Sequence, residues 1–122
     1  MKRILIVDDY DSGRRVLREK LEIQGYVCQE VADGAEALKA LQVTQFDLII
    51  TDNQMPVMTG LELLQALNKK PKNLRPPIIL LTGYLTEPLE QAAKLAGASA
   101  VLTKPVKDQV ILSAITRILG LL

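Results

Sequence analysis

Short apolar runs recur along the chain, and each drives into polar residues before the pattern changes. Ile4-Leu5-Ile6-Val7 is continuous and rich in β-branched side chains. That predicts a central strand buried on both faces, ending at Asp8-Asp9. Helical spacing follows, with Val16, Leu17 and Leu21 on one stripe and Arg14, Arg15, Arg18, Glu19 and Lys20 around it. Gly25 is the expected stop. Tyr26 to Ala32 alternates, Val27 and Val31 one way and Cys28 and Glu30 the other, which predicts an edge strand. Asp33-Gly34-Ala35-Glu36 reads as a capping box for a helix that turns Ala35, Leu38 and Leu41 inward.

Leu48-Ile49-Ile50 is the next buried run and leads to Asp52, after which Asn53, Gln54 and Pro56 break the strand. Thr59-Gly60-Leu61-Glu62 is a second capping box, with Leu61, Leu64 and Leu67 behind it. The proline-rich stretch 69–77 predicts a loop. Ile78 to Leu81 predicts a fourth strand, running into Thr82-Gly83-Tyr84. Pro88 opens a helix with Leu89, Ala92, Ala93 and Ala96 on one face, and Gly97 closes it. Ala100 to Leu102 leads to Thr103-Lys104-Pro105, and a last helix carries Ile111, Ala114, Ile115 and Ile118 inward. Alternating strands and helices of this kind predict an α/β fold: a doubly wound parallel sheet with helices on both faces and right-handed crossovers. The polar second strand points to the order 2-1-3-4-5.

Composition narrows this picture. A length of 122 residues with 48% hydrophobic content predicts one domain, 1–122, with its own core and no output domain. A net charge of +1 supplies no broad footprint for nucleic acid or an anionic membrane, and no apolar stretch has transmembrane length. One cysteine and no signal-peptide pattern lead us to expect a cytoplasmic protein. With no histidine in the chain, a His-based triad or His-ligated metal site is excluded.

In a parallel sheet all strand carboxyl ends share one rim. Here that rim collects Asp8, Asp9, Asp52, Thr82 and Lys104, with the first and third strands adjacent at the topological switch point. Singly, these residues read as a solvated turn, a helix cap or a surface charge. Together they form a site with definite chemistry. Crowded carboxylates repel unless a hard cation sits among them, and Mg²⁺ suits carboxylate and carbonyl oxygens. Lys104 and Thr82 supply a charge and a donor for phosphoryl oxygens, and a carboxylate attacking phosphorus forms an acyl phosphate. The residues thus predict a Mg²⁺-dependent phosphoaspartyl site.

The segments LIVDD, DLIITDNQMPVMTG, LLTG and the pair Lys104-Pro105, in this order, closely resemble the receiver domain of two-component response regulators over essentially the whole chain. The resemblance implies a flavodoxin-like (βα)5 fold and a phosphoprotein acting in two-component or phosphorelay signalling. It implies that Asp52 accepts a phosphoryl group from a sensor histidine kinase or a histidine phosphotransfer protein, forming 4-aspartylphosphate. Asp9 and Asp52 would ligate Mg²⁺, with Mn²⁺ as a substitute, Asp8 acting through water and the main-chain carbonyl of Gln54 as a further ligand. Lys104 would contact the phosphate, its bond to Pro105 would be cis, and Thr82 would be the switch hydroxyl. The domain would catalyse its own phosphorylation and dephosphorylation at Asp52 without being a conventional enzyme. Two positions flank the phosphate in the family: Gln54, suited to orient a water, and Tyr84, suited to shield the site. Val101 stands where the family usually has an aromatic, so switching is expected to come from backbone and loop shifts. Thr59 replaces a common acid and still caps.

Two rival readings exist. Asp9-Tyr10-Asp11-Ser12 has the D-x-D-x spacing of haloacid-dehalogenase-like phosphatases, which would leave Asp52 unexplained. A binding module that signals without phosphorylation would leave the whole acidic set unexplained. The downstream partner is not legible. The arginine-rich first helix and Glu87, Glu90 and Lys94 on the fourth helix are candidate partner surfaces.

Overall fold

The computed structural model of the chain describes residues 1–120. Five strands, β1 (Arg3–Val7), β2 (Val27–Val31), β3 (Leu48–Asp52), β4 (Ile78–Thr82) and β5 (Ala100–Thr103), pair in parallel in the order β2-β1-β3-β4-β5. Between and after them run α1 (Asp11–Ile23), α2 (Gly34–Val43), α3 (Gly60–Leu67), α4 (Glu87–Leu95) and α5 (Asp108–Leu119). This is the doubly wound parallel sheet that the alternation predicts, and the flavodoxin-like fold that the resemblance implies. The stretch 69–77 is a loop containing one 3₁₀ turn, Lys72–Leu74.

The central strands explain their own sequences. Ile4 and Ile6 of β1, Leu48 and Ile50 of β3, and Ile79 and Leu81 of β4 face α1 and α5, where Leu21, Ile111, Ala114 and Ile115 meet them. Leu5, Val7, Ile49 and Ile78 point the other way, into a layer with Ala37 of α2 and Leu63, Leu64 and Leu67 of α3. A strand covered on both faces has no polar side, hence the unbroken apolar runs. Burying each such Leu or Ile stabilises the fold by about 1.5–3 kcal/mol. The edge strand β2 keeps Cys28 buried, while Gln29 faces solvent.

Helix phase is where the structure differs from the sequence expectations. Val16 is 49% exposed instead of inward, and the inner side of α1 is made by Leu17 and Leu21. In α2 the fully buried position is Ala37, with Ala35 at the flank. In α3 Leu63 takes the place expected for Leu61, which is only half-buried. A stripe read from spacing leaves its rotation about the axis open by a residue, and contact with the sheet settles it. The Asp33 box is also displaced: Asp33 accepts from the Glu36 backbone, but Glu36 accepts from the Ala32 backbone instead of Asp33's. The Thr59–Glu62 box on α3 is complete.

Helix ends behave as the glycines suggest. At Gly25 (φ +98°) and Gly97 (φ +92°) the chain enters the left-handed region. In each case two backbone bonds close the helix end: Gly25 N to Glu22 O with Tyr26 N to Leu21 O, and Gly97 N to Lys94 O with Ala98 N to Ala93 O. Both are Schellman closures.

Candidate functional site: the acidic rim

Register builds the site. Val7 pairs with Thr51, so Asp8 and Asp52, the residues that follow, leave neighbouring strands side by side. Asp52 pairs with Leu81, and Thr82 with Thr103, which brings Thr82 and Lys104 to the same rim. Carboxylate oxygens of Asp8, Asp9 and Asp52 lie within 4.8 Å of one another. Asp8 and Asp52 are buried, and Asp9 is exposed. The Lys104 ammonium sits between the two buried acids, 3.0 Å from Asp8 Oδ2 and 3.2 Å from Asp52 Oδ1. The bond from Lys104 to Pro105 is cis.

Three carboxylates against one ammonium leave two negative charges uncompensated. Burial pushes the Asp52 carboxyl above its ordinary range; Lys104 opposes this and Asp8 adds to it. Burial would lower Lys104, but its hydrogen bond to Asp8 and its attraction to both Asp8 and Asp52 outweigh that and raise it. Asp52 Oδ1 is buried, and although Lys104 is close, the approach lies outside hydrogen-bond geometry. A buried carboxylate oxygen without a hydrogen bond, in an all-oxygen cluster carrying surplus negative charge, fits a hard divalent cation. No nitrogen or sulfur donor is in the cluster, so the donor set suits Mg²⁺ better than a soft metal.

Two residues beside the rim take roles that the sequence did not assign them. Arg14 on α1 donates to the main-chain carbonyl of Asp8 at 2.6 Å and to Glu30 of β2 at 2.9 Å. It thereby ties the acidic turn to the edge strand. Glu30 also accepts from Arg18. Arg14 and Arg18 therefore serve the fold as well as the surface, and their pairing partner lies too far away in sequence for any spacing rule to find. Asn53 is a second case. Its side chain accepts from Leu61 N and its carbonyl from Gly60 N, so the loop after Asp52 closes onto the start of α3.

Thr82 is fully buried and its hydroxyl is fully used: it donates to Tyr84 O and accepts from Tyr84 N and Gln54 Nε2. The Gln54 side-chain amide donates to Thr82 and accepts from Gly83 N. Tyr84 is 74% exposed. Val101 is half-buried on β5 opposite Leu80. The Asp9–Asp11 pair does not act together: Asp11, with a 77% exposed side chain, opens α1 and pairs with Arg14. That removes the geometric basis for a phosphatase of the D-x-D type.

A five-stranded doubly wound domain with paired acids after β1, an acid at the end of β3, a hydroxyl on β4 and a lysine after β5 defines a receiver module. The chain belongs to the response regulator receiver domain family, whose model matches residues 4–116. It is 33% identical to the chemotaxis protein CheY of Pseudomonas aeruginosa, over 95% of this chain and 94% of that protein. It is 34% identical to the sensor histidine kinase RcsC of Escherichia coli, over 93% of this chain but only 12% of RcsC. Among solved structures, Vibrio cholerae CheY4 is 36% identical with a TM-score of 0.89, covering 98% of this chain and 99% of that one. The signal receiver domain of a signal transduction histidine kinase from Syntrophus aciditrophicus is 38% identical with a TM-score of 0.90, covering 98% and 91%. The protein is a receiver of two-component signalling, a family that works with histidine kinases and phosphotransfer partners. Among the described residues no helix is long and apolar enough to cross a membrane.

Proposed function

We propose that Asp52 is the phosphoacceptor of this receiver, taking its phosphoryl group from a phosphohistidine on a sensor kinase or phosphotransfer protein. The observation that carries this is the buried, hydrogen-bond-free Oδ1 of Asp52 beside the Lys104 ammonium and the Asp8–Asp9 pair. In the transfer, an Asp52 oxygen forms a bond to phosphorus while the phosphorus–nitrogen bond of the donor breaks. The departing imidazole keeps the electron pair and is protonated. Lys104 stabilises charge on the phosphoryl oxygens, as a cation held in a partly buried site does. Asp9, Asp52 and the main-chain carbonyl of Gln54 would hold Mg²⁺, with Asp8 reaching it through water. The ion would screen the carboxylates from the incoming phosphoryl oxygens. Return to the resting state is attack by water on the acyl phosphate.

Thr82 then turns its hydroxyl to the phosphoryl group and drags the loop between β4 and α4 with it, changing the surface around β5 and α4. With Val101 in place of a ring, that change is carried by backbone and loop. A downstream protein reads this surface. Intact mass after incubation with acetyl phosphate tests the reading. A gain of one phosphoryl group that requires Mg²⁺ and is absent from Asp52→Asn is expected. No gain, together with no binding of beryllofluoride, would overturn it. Thr82→Ala is expected to accept phosphate yet lose phosphorylation-dependent partner binding.

A further inference from the structure

We propose that the Gln54 side chain is a positioning residue that holds Thr82 in the resting state, so that phosphorylation has to displace it before the switch can turn. The inference rests on Asp52 being the phosphoacceptor. A threonine hydroxyl has one proton to donate and two lone pairs. In this structure all three are spent: the proton goes to Tyr84 O at 3.1 Å, and the lone pairs take Tyr84 N at 3.2 Å and Gln54 Nε2 at 2.8 Å. None of the three goes to Asp52. The orientation of the Gln54 amide is set by its other contact. Gly83 N–H, 3.4 Å away, can only donate, so the amide oxygen faces it and the nitrogen faces Thr82.

Gln54 stands in the loop after β3, whereas Thr82 ends β4 and Gly83 begins the loop after it, so one side chain staples the first loop to the start of the second. The backbone of Thr82 is held independently, since its carbonyl accepts from Lys104 N at 2.7 Å. Switching is therefore a movement of the hydroxyl and of the residues after it. To give its proton to a phosphoryl oxygen, Thr82 has to leave Tyr84 O and surrender the Gln54 bond at the same time. With Gln54 in place Thr82 is completely buried, whereas Gln54 itself is exposed, so its freed amide turns to solvent. The staple stabilises the resting arrangement and weakens the affinity of the site for a phosphoryl group by the same factor.

Binding of beryllofluoride with Mg²⁺, measured calorimetrically, tests this in the native chain, Gln54→Met, Thr82→Val and the double variant. Gln54→Met keeps the main-chain carbonyl and the side-chain length but removes the amide. It is expected to bind roughly three- to tenfold more tightly than the native chain, the worth of one hydrogen bond. Gly83 and Tyr84 amides are expected to exchange faster in ligand-free Gln54→Met. In the Thr82→Val background the same substitution is expected to change affinity by less than about 1.5-fold, because the partner hydroxyl is gone. Unchanged or weaker binding by Gln54→Met overturns the proposal. So does an equal shift in both backgrounds, which assigns the effect to direct contact between Gln54 and the phosphoryl group. If the native chain itself fails to bind, or Asp52→Asn binds equally well, the phosphoacceptor reading falls first and this one with it.

Discussion

At the scale of single residues, the acidic rim is held under electrostatic load. Burial raises the Asp52 carboxyl above its ordinary value, so the folded chain holds that proton more tightly than the unfolded chain does. The resulting penalty is absent below the unfolded-state value and fully present above the raised one. Asp52→Asn is therefore expected to raise the melting temperature by several degrees in chelator at neutral pH. That advantage shrinks as the pH is lowered through the interval, and thermal melts across pH check it. Glu30 behaves in the opposite sense. Burial alone would raise its carboxyl, but hydrogen bonds and charge from Arg14 and Arg18 outweigh it and hold it below the ordinary value. Its contribution is present above the ordinary carboxylate range and is lost as pH falls through the lowered one. Glu30→Gln is expected to cost about 1–3 kcal/mol at neutral pH in urea unfolding, since both Arg14 and Glu30 are largely buried. At acid pH the cost disappears. None of this loading was legible beyond the residue types: the sequence names the acids, but the burial that shifts them is a property of the fold.

At the scale of elements, the turn from β3 into α3 is closely packed. A Cβ on Gly60 would lie 2.5 Å from the carbonyl oxygen of Asp52 and 2.6 Å from Leu80 Cδ1. Neither the backbone of a buried strand nor a fully buried leucine can retreat cheaply. Gly60→Ala is expected to destabilise the chain by about 2 kcal/mol or more, read as a lower urea midpoint with an unchanged slope. In the same loop Val57 has φ +72°, and Met58 N bonds back to Pro56 O at 2.7 Å, a γ-turn centred on a β-branched residue. Val57 is exposed, so little packing offsets the strain. Val57→Gly is expected to raise stability by roughly 0.5–1 kcal/mol, the released strain exceeding the entropy that glycine adds to the unfolded chain. The Thr59–Glu62 capping box, the Asp33 cap, both Gly-stopped helices and all five strands were legible here, because each rests on neighbours in sequence. The phase of α1, α2 and α3 was not, because it depends on which sheet residues lie beneath.

At the scale of the molecule, metal binding and folding are one equilibrium. A cation that binds the assembled rim and not the unfolded chain stabilises by mass action, about 2.7 kcal/mol at a hundred times its dissociation constant. Mg²⁺ is therefore expected to raise the melting temperature of the native chain. Asp9→Asn is the sharper control, since Asp9 is exposed and its loss does not disturb the core. It should remove most of the Mg²⁺-dependent rise while leaving the chelator-treated protein folded. A Mg²⁺ effect retained in full by Asp9→Asn would place the ion elsewhere.

The sequence by itself determined the order of elements, the parallel sheet with β2 at its edge, and the identity of the strand-end residues Asp8, Asp9, Asp52, Thr82 and Lys104. It could do so because unbroken apolar runs, capping pairs and glycine stops are local patterns, and parallel strands put their carboxyl ends on one rim whatever the details. The tertiary structure alone decided how those residues are used. Lys104 reaches Asp8 across 96 positions, Arg14 links the Asp8 carbonyl to Glu30, and Gln54 gives its amide to Thr82. Such contacts depend on register, helix rotation and side-chain direction between segments far apart in sequence. No periodicity encodes them, and they arise only when the layers pack.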